Sequence, residues 1–426
     1  MKKMLIIIQV MMWCFVAMAQ PRASLFQAIV AADGSGDYTT VQSAIDAMPE
    51  GRTEPWIILV KNGQYNEQVI VPESKPYVHL IGQDADKTII HLAINVGGKP
   101  SSQEASYWTW SMHNPEGKVF SKANAVFNIK GNHFYAENIS FINDWGVYAQ
   151  NGPQALAMNS SGDCAAFNNC RFRSFQDTWM TTTNDKNRHY VYHCYIEGAV
   201  DYFYGGGDVL VENSTFYNVR SGSVIVAPCH KDAKYGYAFR NCLIDGNTEA
   251  ADGKQKLGRP WHNRPIAVYI NSVMRIPLAP EGWTDMGTVP GLFAEYGSRD
   301  MDGNLLDLSQ RKTTYKFRGS SQTGTCRSSI TKEEADTYTY ENMIPGKDGW
   351  NPRAIMKQLP APKQLVRSKG QLSWQPVEGA KAYVVFDGEE ILGTTNDTSF
   401  PVEQISYRLM VAPVNRHGAL GKKGKL

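Results

Sequence analysis

Asn169-Cys170-Arg171-Phe172 and His193-Cys194-Tyr195-Ile196 stand 24 residues apart in the middle of the chain, and the same short pattern recurs on both sides. It occurs earlier as Asn138-Ile139-Ser140-Phe141, and later as Asn213-Ser214-Thr215-Phe216 and Asn241-Cys242-Leu243-Ile244; the successive intervals are 31, 24, 20 and 28 residues. Each unit reads as a polar turn, a short strand with apolar residues at alternate positions, a second turn and another short strand. Units this short leave little room for a helix, and they bury an apolar face only by stacking on their neighbours. The expected fold class is therefore all-β, a right-handed parallel β-helix. Its register puts Cys170, Cys194 and Cys242 at one equivalent position. A reduced, buried ladder is expected there; a disulfide between neighbouring coils is the alternative, because parallel strands lie about 4.8 Å apart.

Composition agrees with an ordinary globular chain. At about 150 residues per domain, 426 residues suggest two to three domains. Hydrophobic residues at 42% and charged residues at 20% rule out a disordered, collagenous or polytopic membrane protein. Lys plus Arg is 43 against 41 Asp plus Glu, a balance with no electrostatic case for nucleic acid. Lys2 and Lys3 precede an apolar run from Met4 to Ala19 that ends Ala17-Met18-Ala19, the order of a secretory signal peptide over 1–19. The run is shorter than the roughly 20 residues of a membrane span. The expected address is secreted, periplasmic or cell surface. Beyond Cys14, the remaining cysteines, Cys164, Cys170, Cys194, Cys229, Cys242 and Cys326, match no zinc spacing, so neither metal nor thiol chemistry is expected.

Ahead of the repeats, the turn Asp33-Gly34-Ser35-Gly36-Asp37 leads into Val41 to Met48, where Val41, Ala44, Ile45 and Met48 fall at helical spacing and suit a cap on the solenoid. Trp56 to Val71 supplies the first strands. The β-helix is expected over 20–358, and a Pro-containing linker at Leu359 to Pro362 opens a second unit over 359–426. There Leu372-Ser373-Trp374, Ala382-Tyr383-Val384-Val385-Phe386 and Tyr407-Arg408-Leu409-Met410-Val411 alternate with turns and resemble a small fibronectin type III β-sandwich. Lys422, Lys423 and Lys425 read as a solvated basic tail.

The repeat register also pairs two acids. Asp177 lies seven residues after Cys170 and Asp201 seven residues after Cys194, so they are expected on consecutive coils within roughly 5 Å. Two carboxyls this close do not both ionise comfortably; one keeps its proton and the other is a carboxylate. A surface Asp ladder is the competing account. Against it, Gln176 and Gln154 offer amides to a developing oxyanion, and Arg259 offers a permanently charged fork to one carboxylate. Trp261 offers a flat face to a sugar ring or, alternatively, fills a core.

These residues sit in a set of motifs that resembles the pectin methylesterases from about Ile29 to Pro352. The motifs are Gly63-Gln64-Tyr65-Asn66-Glu67, Gln154-Ala155-Leu156-Ala157, Phe175-Gln176-Asp177-Thr178, Asp201-Tyr202-Phe203-Tyr204-Gly205 and Leu257-Gly258-Arg259-Pro260-Trp261. The resemblance implies a β-helix and an ester hydrolase of methyl-esterified pectin or its oligosaccharides. It implies Asp201 as nucleophile, Asp177 as general acid and then base, Gln176 and Gln154 as the oxyanion hole, and Arg259 as the group positioning Asp201. Trp261 would bind the galacturonate chain, with Phe175, Tyr204 and Trp179 as further substrate contacts. No cofactor or metal is implied, and a monomer without a membrane span is expected.

Two stretches depart from the common pattern. Tyr202-Phe203-Tyr204 replaces the usual Phe-Ile-Phe and adds hydroxyls, and Ala227-Pro228-Cys229-His230 replaces Ala-Gln followed by a small residue and Arg. A loop with Tyr107, Trp108 and Trp110 has two open placements, over the cleft or on the β-helix wall. The rival functions are another pectin-active β-helix enzyme, such as a calcium-dependent lyase or a glycoside hydrolase, and a non-catalytic carbohydrate-binding solenoid.

Overall fold

Left-handed backbone explains why the repeated pattern opens on Asn or His. The computed structural model describes residues 24–95, 125–402 and 406–426. The expected signal segment and the loop with Tyr107, Trp108 and Trp110 lie outside them. The opening residue has φ of 56° at Asn138, 50° at Asn169, 52° at His193, 50° at Asn213 and 53° at Asn241. Asn and His tolerate this region better than most side chains, so each polar residue turns the chain at a corner. Asn271, at 52°, marks a further corner of the same kind.

Between corners the strands stack in parallel register, coil upon coil. Among the described residues they form parallel sheets of ten, nine and seven strands. Arg171–Arg173 pairs with Tyr195–Gly198 through Phe172 and Ile196, and Tyr195–Gly198 pairs with Thr215–Asn218 through Ile196 and Phe216. The inward positions, Phe141, Phe172, Ile196, Phe216 and Ile244, are fully buried, and the Phe141 and Phe172 rings stack at 5.3 Å. One rung position carries Ile139, Cys170, Cys194, Ser214, Cys242 and Ser272, all buried. Its cysteines are unpaired thiols, and the Cys170 backbone N–H donates to Cys194 Sγ at 3.4 Å. This is the reduced ladder.

The helix Val41–Asp46 closes one end with Val41, Ala44 and Ile45 buried. Glu67 fixes it, accepting from the Val41 and Gln42 backbone N–H groups at 2.7 and 2.9 Å, where a helix start favours negative charge.

At the other end of the chain, Val366–Ser368, Gln371–Ser373 and Ser399–Pro401 form a three-stranded antiparallel sheet. Glu390–Thr395, Ala382–Asp387, Leu409–Val414 and Gly424–Lys425 form a four-stranded one. Leu372, Trp374, Tyr383, Val385 and Val411 share a core between them. The other face of the four-stranded sheet, with Val384, Phe386, Ala412 and Val414, packs with Ile57, Leu59, Ile81 and Tyr135 on the outside of the ten-stranded sheet. Gly418 lies in that seam with φ of 96°, and a Cβ there would come 2.5 Å from Ile57 Cγ2. Leu420 N–H donates to the buried Glu137 at 2.8 Å. The basic end keeps Lys422, Lys423 and Lys425 exposed, as expected, but it is an edge strand rather than a free tail: Gly424 and Lys425 pair with Val411 and Met410, and the Lys423 ammonium sits 4.0 Å from the Phe386 ring centre.

Candidate active site

The two acids occupy one corner on successive coils. Gln176 bridges Val200, and Trp179 and Met180 pair with Phe203 and Tyr204, which brings Asp177 and Asp201 to matching positions. Both are left-handed, with φ of 61° and 48°, a conformation Asp accepts more readily than bulky residues. Asp177 N–H donates to Val200 O at 2.9 Å, and the buried Thr178 hydroxyl donates to Glu197 O at 2.8 Å. The helix Asp144–Ala149 presses on the preceding loop through Gly146. A Cβ there would lie 1.9 Å from Ser174 Oγ and 2.8 Å from Phe175 N, so this contact requires glycine.

Arg259 reaches the acids from the end of the strand Lys256–Gly258. Its Nε donates to Asp201 Oδ1 at 2.7 Å and its Nη2 to Asp201 Oδ2 at 2.6 Å, the two-pronged match of a guanidinium to a carboxylate. Gly258 allows the close stacking this needs, since a Cβ would sit 2.4 Å from Val226 Cγ2. Asp177 has no such partner. Burial, and then the charge of Asp201, push its carboxyl up to about 8, with Arg259 and the Tyr204 hydroxyl pulling the other way. At neutral pH the corner therefore holds a protonated acid beside a guanidinium-bound carboxylate.

Gln176 is half-buried and Gln154 exposed, on adjacent coils joined where Ala155 N–H donates to Gln176 O at 3.1 Å. Beside the acids, Ala125, Leu156, Tyr204 and Ala227 make an apolar floor against which Met180, Trp261 and Met286 pack.

A family described as Pectinesterase matches residues 27–347. The chain belongs to the pectinesterase family. It is similar to probable pectinesterase 8 of Arabidopsis thaliana, 31% identical over 294 residues, which cover 66% of this chain and 68% of that protein. Against probable pectinesterase/pectinesterase inhibitor 13 of the same plant, identity is 30% over 335 residues, 75% of this chain and about half (48%) of the relative. Pectin methylesterase from carrot superposes with a TM-score of 0.61 at 25% identity, covering 76% of this chain and 94% of that one.

The expected substrate contacts of this pectinesterase are not all placed alike. Trp261 is half-buried, its ring edge-on to Tyr204 at 5.5 Å. Tyr204 is buried in the floor. Phe175 is buried too, with the Arg220 guanidinium 5.5 Å from its ring centre. Trp179 is corrected: it lies wholly inside the β-helix among Phe167, Phe172 and Phe203, its Nε1 donating to Ser160 Oγ at 2.8 Å. Strand alternation gives the cleft side to its neighbour Met180 instead. Met180, Met286 and Leu156 were missed from the sequence; counting alternation outward from Asp177 points to Trp179, because the left-handed backbone at Asp177 breaks the count.

Among the described residues, Asp163, Cys164 and Asp348 form a group with metal-ligand chemistry. Arg188 Nη2 already sits within it, 2.8 Å from Asp163 Oδ2, 2.6 Å from Asp348 Oδ2 and 2.9 Å from Cys164 Sγ. The guanidinium supplies the positive charge that those groups require. No helix among the described residues is long and apolar enough to cross a membrane.

Proposed function

We propose that this pectinesterase removes methyl esters from galacturonate units of pectin through Asp201 and Asp177. The observation that carries the reading is the asymmetry of the pair: a carboxylate gripped at both oxygens by Arg259, next to a carboxyl that keeps its proton up to about pH 8. Asp201 attacks the ester carbonyl carbon, and the amides of Gln176 and Gln154 donate to the oxyanion that forms. As the carbon–oxygen bond breaks, Asp177 passes its proton to the methoxy oxygen and methanol leaves. Asp177, now a carboxylate, takes a proton from water, whose oxygen attacks the acyl carbon and frees Asp201. Trp261 and the apolar floor carry the sugar chain and its methyl group.

The test is methanol release from methyl-esterified polygalacturonate by folded variants. Asp177→Asn is expected to lose about 10²–10⁴-fold in turnover, and Asp201→Asn at least as much. Native-like turnover in either, or an ultraviolet-absorbing unsaturated product from the native enzyme, overturns the mechanism.

The same reading extends to the rest of the chain. Residues 20–358 form the catalytic β-helix, and 359–426 a fibronectin type III-like sandwich. Support for the latter comes from its strand order in the chain, first–second–fifth in one sheet and fourth–third–sixth–seventh in the other. The charged, apolar and small-residue order over 1–19 supports a secreted, periplasmic or cell-surface enzyme.

A further inference from the structure

Two hydrogen bonds cross the buried part of the seam between the ten-stranded sheet and the C-terminal sheets, and each uses a titratable side chain of the β-helix wall. His79 Nδ1 donates to His417 O at 2.9 Å, and Glu137 Oε1 accepts from Leu420 N–H at 2.8 Å. A carbonyl only accepts, so the His79 hydrogen sits on Nδ1 in either charge state. The loop that meets the wall is held in shape by Asn415, whose Oδ1 accepts from the His417 and Ala419 N–H groups at 2.8 and 3.2 Å. His79 and Glu137 are each 2% exposed. Tyr135 joins them, its ring edge-on to His79 at 5.5 Å and its hydroxyl donating to Glu137 Oε2, which Asn168 Nδ2 also approaches at 3.5 Å. The titratable groups facing His79 are His133, Tyr135 and His417, and those facing Glu137 are Tyr135 and Cys170. Glu54 and Arg416 lie beyond His417, and Asp163, Arg188 and Asp348 beyond His133. Lys87 and Glu389 pair across the exposed rim.

We propose that His79 and Glu137 form a paired latch through which protonation controls, with opposite signs at the two residues, how firmly the C-terminal sheets hold the β-helix. Closing the seam takes both groups out of water and gives neither a counter-charge. Burial holds the His79 imidazole at about 3 against an ordinary 6.5, with the bond to His417 O opposing it. Burial pushes the Glu137 carboxyl up to about 7 from 4.5, with Tyr135, Leu420 and Asn168 pulling the other way. The histidine contribution to docking is full above about pH 6.5 and is lost as pH falls toward about 3; the carboxyl contribution is full below about pH 4.5 and is lost as pH rises to about 7. Between about pH 4.5 and 6.5, closure releases the His79 proton to solvent and takes one from solvent onto Glu137, so the two contributions offset each other.

The experiment follows the seam in the full chain by hydrogen–deuterium exchange mass spectrometry of the 415–421 segment, corrected for intrinsic exchange, with the interior strands at 209–218 as reference. Glu137→Gln keeps an acceptor for Leu420 N–H, and His79→Asn keeps a donor for His417 O. Each variant is read as a ratio to the native protein, which removes the titration of His133 and His417. From about pH 6.5 down to about 4.5, protection of 415–421 relative to native is expected to fall about 100-fold in Glu137→Gln, at about tenfold per pH unit for one proton, and to rise by about the same factor in His79→Asn. Ratios that stay constant, or that move the same way in both variants, overturn the inference. If a variant leaves 415–421 unprotected at every pH, the native chain labelled with 13Cε1-histidine decides. The His79 resonance, assigned from its absence in His79→Asn, is expected not to titrate between about pH 4.5 and 7, and a midpoint near the ordinary 6.5 overturns the latch.

Discussion

Arg259 decides how the two acids divide their labour, because it bonds both oxygens of Asp201 and leaves Asp177 without a comparable partner. Arg259→Lys retains the positive charge but cannot make both bonds. One lost charged hydrogen bond predicts a fall in kcat/KM of about ten- to a hundredfold, checked by steady-state methanol release. Asp177 also links the site to stability. Its carboxyl stands at about 8 against an ordinary 3.8, so between those values the unfolded chain ionises while the folded protein keeps its proton. The contribution of this group is greatest below about pH 4 and is lost progressively as pH rises to about 8. Asp177→Asn removes that loss. Thermal unfolding is expected to show the variant melting above the native protein near about pH 7, with the gap closing near about pH 4. The pairing of the acids was legible from their common seven-residue offset. Which acid keeps the proton was legible only as a family resemblance, because it depends on a guanidinium 58 residues further along that folds back onto one of them.

The corners are where each coil commits to its register. At Asn213 the backbone has φ of 50° and the residue is exposed, so its role there is almost purely conformational. Asn213→Ala is expected to cost about 1–2 kcal/mol and Asn213→Gly much less, a contrast that denaturant unfolding of the two variants resolves. The repeat was readable because these corners select Asn or His, while the irregular intervals reflect loops of different length between coils. Strand parity was the weaker reading. Trp179 was expected at the substrate through the family resemblance, but alternation on the two-residue strand turns it inward and leaves Met180 at the cleft. A left-handed residue at Asp177 resets the count, and nothing in the local composition announces that reset.

On the scale of the molecule, the sandwich and the β-helix share one apolar seam rather than a flexible tether. Ala382-Tyr383-Val384-Val385-Phe386 carried the signal: five consecutive buried residues mean a strand covered on both faces, whereas a sandwich strand with one face in water alternates. What covers the second face was not legible, since Ile57, Leu59 and Ile81 read equally well as interior strand residues. Deleting residues 359–426 would bare that wall, at on the order of 2 kcal/mol for each large side chain uncovered. The shortened protein is expected to aggregate or to melt well below the full chain. Size-exclusion chromatography and thermal unfolding check this, and a soluble monomer with an unchanged midpoint would contradict it. The reduced cysteine rung has a practical consequence. Of the thiols among the described residues, only that of Cys229 reaches the surface in part, next to Pro228, whose carbonyl accepts from Trp261 N–H. Burial pushes that thiol up to about 11, so a maleimide dye reacts slowly and at a single address beside the cleft. Labelling at the remaining sulfurs then serves as a clock for unfolding, and labelling at Cys229 as a gauge of whether a polysaccharide lies across the enzyme.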